Sequence, residues 1–79
     1  MRKSYSKKDR ELLKKVGQKI RGFRLKSGLS QEKLAFASNL DRTYIGSVER
    51  GERNISIINL EKISSALNIN SFELLKIEE

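Results

Sequence analysis

The chain has 79 residues, enough for one small domain. It has no Cys and no His, which removes a disulfide framework, a Cys-based zinc site and the commonest general base and metal ligand. Formal net charge is +7, no apolar run reaches membrane-spanning length, and the first residues lack the apolar stretch of a signal peptide, so a soluble cytoplasmic protein is expected, not a membrane one.

The basic charge is uneven along the chain. Residues 1–28 hold eleven Lys and Arg against Asp9 and Glu11, a balance of +9, whereas residues 29–55 sum to zero and residues 56–79 to −2. Such a field steers polyanions, although a merely solvated first helix would carry the same charge. Residues 1–8 are basic with almost no apolar side chain and read as a tail or a loosely helical start. From about Lys8 to Ser27, Leu12, Leu13, Val16, Ile20 and Phe23 share one arc of a helical wheel, and Gly28 ends that helix. Gly17 and Gly22 lie inside it, each at a cost of about 1 kcal/mol relative to Ala, with no purpose visible in the sequence.

Two short helical patterns follow, at about 31–38 and 42–50, separated by a very short turn. Ser30 can cap the first, and Ala35 sits where the two must cross closely. Asn39 occupies the reversal and is the best non-Gly choice for a left-handed backbone. Leu40 can tuck beneath the turn, and Asp41 can cap the second helix. Ile45 and Val48 point inward, which leaves Arg42, Thr43, Gly46 and Ser47 facing outward. Residues 31–50 thus read as a helix-turn-helix, whose second helix enters the major groove of DNA. Ser56 caps a fourth helix reaching about Leu67, with Leu60, Ile63 and Leu67 inward, Ile57 nearby and Ile58 off the stripe. Ser71 caps a short fifth helix carrying Phe72, Leu74, Leu75 and Ile77. The expected fold is all-α, a compact single five-helix domain over residues 1–79.

With its helices so placed, the chain resembles the Cro/lambda-repressor-like family, also called the xenobiotic-response-element type, from about Val16 to Leu75. The resemblance rests on Ile20-Arg21, Arg24, Gly28-Leu29-Ser30-Gln31, Leu34-Ala35, Ile45, Glu49-Arg50-Gly51 and Ala66-Leu67. Within that family it looks most like the controller proteins of restriction–modification systems, on Asn39 to Ile45 and Glu49 to Ser56. That likeness implies a homodimer on pseudo-symmetric operators, activating at low occupancy and repressing at high occupancy, with RNA polymerase as a further partner. It also implies that Gln31 grips a phosphate, that the loop with Arg53 and Asn54 lies against the DNA backbone, and that Arg24 and Glu49 form a structural ion pair.

From the residues themselves, Arg42 is the main candidate base reader, since a guanidinium can pair bidentately with a guanine edge; the alternative is a phosphate contact. Thr43 and Ser47 can reach bases or phosphates, or bond back to their own helix. Tyr44 can place its hydroxyl on a phosphate or pack against the domain. Ile58, Phe72, Leu74 and Ile77 are the candidate dimer interface, against the alternative that the fifth helix only closes the core. A phage-type repressor or an antitoxin-like regulator with a protein partner is the second reading. RNA binding lacks an aromatic platform, and no residue cluster suggests an enzyme, a cofactor, a metal or a small-molecule ligand.

Overall fold

The computed structural model describes residues 4–77. Five helices follow in order: α1 Lys7–Lys26, α2 Gln31–Ser38, α3 Arg42–Glu49, α4 Ile57–Ala66 and α5 Ser71–Leu75. Helix α1 starts at a capping box, in which the Ser6 hydroxyl accepts from the Asp9 amide and the Asp9 carboxylate accepts from the Ser6 amide, both at 3.0 Å. Lys7 and Lys8 therefore belong to the helix, which agrees with a helical start at the end of the basic segment; Met1 to Lys3 lie outside the described residues.

The expected caps at Ser30 and Ser56 are present, each accepting at 3.1 Å from the amide three residues on. Asn39 adopts φ 58°, ψ 40°, the left-handed turn its residue type favours. Two expected caps are not made. Asp41 has the extended backbone of an N-cap, but its carboxylate makes no capping bond. Helix α5 begins one residue earlier than its expected cap allows: Asn70 is the N-cap, and the Ser71 hydroxyl bonds Glu61 and Ser64 of α4. The acceptor on α4 outcompetes the local amide.

One core joins all five helices. Val16 and Ile20 of α1, Leu34 and Ala35 of α2, Ile45 and Val48 of α3, Leu60 and Ile63 of α4, with Leu67, and Leu74 of α5 are buried together. Leu12, expected on the inner arc of α1, is instead half exposed.

Gly17 acquires a purpose here. A Cβ at that position would stand 2.4 Å from the Val48 carbonyl oxygen and 2.6 Å from that of Glu49. Only a residue without a side chain lets α1 lie this close against the end of α3. Gly51, just past α3, combines φ 77° with a second close approach, since a Cβ there would meet Lys14 Cα at 2.8 Å. The two glycines lock the recognition helix of the motif against α1.

Candidate nucleic-acid interface

Helix α3 is wedged between α1 and α2, and this decides which of its residues remain outside. Ile45, Gly46, Ser47, Val48 and Glu49 are all buried. The first turn is not: Arg42 and Thr43 are exposed and Tyr44 is half-buried. Arg42 makes no hydrogen bond or ion pair among the described residues, so its guanidinium remains available. The expected outward placement of Gly46 and Ser47 is corrected. The Ser47 hydroxyl donates to the Tyr44 carbonyl at 2.8 Å, the bond back to its own helix, and is not a groove-facing group.

Behind this turn lies a buried ion pair. Arg24 Nε and Nη2 donate to Glu49 Oε2 and Oε1 at 2.7 and 3.0 Å, and Nη1 donates to the Leu29 carbonyl at 2.8 Å. The side chains are 8% and 2% exposed, so the bidentate geometry operates with little water. The hydrogen bonds that Arg24 donates to Glu49 raise its pKa above its ordinary value, against the lowering effect of burial. Glu49 Oε1 also accepts from Gln31 Nε2 at 3.0 Å. Gln31, the first residue of α2, is therefore oriented by the same carboxylate that ties α3 to α1.

The loop after α3 is organised around two tyrosines. The Arg53 guanidinium stands over the Tyr44 ring at 5.5 Å from its centre. The Tyr44 hydroxyl accepts from Asn59 Nδ2 at 3.1 Å, and Asn54 Nδ2 donates to the Tyr5 hydroxyl at 3.3 Å. Tyr44 thus combines a packed ring with a hydroxyl whose own proton is still available. Arg50 and Glu52 form an exposed bidentate pair at 2.9 and 3.1 Å, which holds the Glu52 carboxyl below its ordinary range. Neither Asn59 nor this pair was singled out in the sequence. A pair two residues apart beyond a helix end has no periodicity to betray it.

Of the expected dimer residues, Ile58 and Phe72 are exposed, Ile77 is partly buried against the core, and Leu74 is fully buried. Leu74 has no surface to offer a partner and is withdrawn from that set. Its neighbour Leu75 is exposed instead and, with Ile57, Ile58 and Phe72, lines an apolar groove between α4 and α5. Among the described residues no helix is long and apolar enough to cross a membrane, and no cluster of acidic side chains suits a metal.

A short helix wedged by two others, exposing one polar turn beside a basic loop, defines a helix-turn-helix protein. The helix-turn-helix family profile matches residues 20–74. The control protein C.BamHI of Bacillus amyloliquefaciens is 58% identical over 60 residues, covering 75% of this chain and 74% of that one. C.MunI of a Mycoplasma species is 49% identical over 61 residues, covering 76% and 82%. The crystal structure of the restriction–modification controller protein C.AhdI from Aeromonas hydrophila superposes with a TM-score of 0.78 at 55% identity, covering 78% of this chain and 94% of that one. The chain belongs to the Cro/lambda-repressor-like helix-turn-helix family, within its restriction–modification control proteins.

Proposed function

We propose that this chain is a sequence-specific regulator of transcription that binds double-stranded DNA as a homodimer, in the manner of a restriction–modification control protein, and that it acts in the cytoplasm without enzymatic activity. The observation that carries this reading is the single exposed turn of α3: Arg42 and Thr43 stand outside a helix otherwise buried from Ile45 to Glu49. Arg42 reads a guanine edge and Thr43 touches a neighbouring base or phosphate. Gln31, Tyr44, Arg53 and Asn54 flank that turn and contact the backbone, fixing its register in the groove. RNA polymerase is a further partner when the regulator activates.

The salt dependence of duplex binding tests this directly. The logarithm of the association constant should fall steeply with the logarithm of salt concentration, by about 0.9 for each phosphate neutralised. A flat response would remove DNA as the partner.

Dimerisation follows from the small size of one exposed turn, which reads too few base pairs to select a site in a genome. The apolar face of Ile57, Ile58, Phe72 and Leu75 is the proposed self-complementary surface. Ile58→Asp should shift sedimentation of the protein from dimer to monomer while the helical content of the chain is unchanged, because Ile58 is 68% exposed in the single chain. A dimer that survives the substitution would move the interface elsewhere.

A further inference from the structure

We propose that Tyr5, ahead of α1, is a positioning residue for DNA binding: its hydroxyl holds the Asn54 side chain and, through it, the loop between α3 and α4. The inference rests on the DNA-binding reading and deepens it. Asn54 Nδ2 donates to the Tyr5 hydroxyl at 3.3 Å, a bond between residues 49 apart in the chain. Tyr5 lies outside residues 20–74, the span matched by the family profile.

The loop has little else to fix it. Among the described residues, the backbone groups of Arg53, Asn54 and Ile55 make no hydrogen bond to other backbone groups. The segment is held by its side chains instead. Ile55 packs against the core, the Arg53 guanidinium stands over the Tyr44 ring, and Asn54 is bonded to Tyr5. Arg53 and Asn54 are the loop residues proposed to meet the duplex. Each is steadied by a tyrosine, one from α3 and one from the segment leading into α1.

Tyr5 is itself anchored. Arg10 Nη1 donates to its carbonyl oxygen at 2.7 Å, and the next residue, Ser6, makes both bonds of the capping box. A hydroxyl on a rigid ring with two torsions, mounted on a fixed backbone, is an anchor that loses little entropy. The bond uses one N–H of the Asn54 amide, and among the described residues its second N–H and its Oδ1 make no hydrogen bond. Fixing that amide before the duplex arrives removes an ordering cost that binding would otherwise carry.

The test is a double-mutant cycle read as duplex affinity. It uses the full chain and a random-sequence duplex at fixed salt, because a backbone contact is independent of sequence. Tyr5→Phe removes the hydroxyl and keeps the ring. It should weaken binding about three- to tenfold. The salt slope should stay as in the wild type, because no charge is removed. The melting temperature should also stay, since the bond is exposed. Asn54→Ala should weaken binding at least as much, and adding Tyr5→Phe to it should cause no further loss. Wild-type affinity in either single variant would overturn the proposal. The same loss from Tyr5→Phe with and without Asn54 would make the hydroxyl an independent DNA contact and overturn the positioning role. A melting temperature lowered by Tyr5→Phe would make the hydroxyl a support of the whole fold, which also overturns it. A flat salt response in the wild type would instead defeat the DNA-binding reading itself, which separates the two failures.

Discussion

Glu49→Ala is expected to cost about 3–5 kcal/mol of stability, the largest effect of any single substitution considered. The carboxylate is 2% exposed and receives three hydrogen bonds, two from Arg24 and one from Gln31. Removing it strands the Arg24 guanidinium, which stays charged at any working pH and whose side chain is only 8% exposed. For a domain of this size such a loss lowers the melting temperature by about 12 °C or more. Replacing both partners with apolar residues of similar size, Arg24→Met with Glu49→Leu, should recover much of the loss, because the penalty is the stranded charge and not the absent attraction. Thermal unfolding of the single and double variants measures both. Equal destabilisation in the two would show that the pair contributes net attraction.

Arg42→Ala is expected to remove discrimination between DNA sequences while leaving weak, salt-sensitive binding. A bidentate guanidinium–guanine pair carries about 1–3 kcal/mol of discrimination, and a two-fold complex carries it twice. Arg42 is exposed and free of internal bonds, so its loss should leave the melting temperature unchanged. Competition between a selected site and a scrambled duplex reads the ratio. If Arg42→Ala weakened both duplexes equally, Arg42 would be a phosphate contact and the base reader would have to be Thr43.

The parts of this fold that could be read from the sequence are those set by local chemistry. Ser30 and Ser56 cap because a hydroxyl before a helical run has free amides within reach. Asn39 turns left-handed because its side chain tolerates that backbone. The inner face of α4 follows from the spacing of Leu60, Ile63 and Leu67. Expectations failed where a distant element competes with a local one. The Ser71 hydroxyl is drawn to α4 rather than to its own helix start. Ser47 is enclosed because α3 is packed on two sides, a fact no helical wheel contains. Leu74, expected at the dimer face, is buried instead because a five-residue helix is too short to establish a phase. The Arg24–Glu49 pair spans 25 residues and was legible only through family resemblance. Gly17 looked like a defect in α1 until the carbonyls of α3 were found 2.4 and 2.6 Å from its absent Cβ.

The central claim is that one exposed turn of α3, used twice by a symmetric dimer, selects a DNA sequence. Selection of bound duplexes from a random library by the purified chain tests it most directly. The account predicts recovery of a motif of two inverted half-sites whose centres lie about 34–36 Å apart, one helical turn of DNA. Recovery of no enriched motif, or of a single half-site without its symmetry mate, would contradict it.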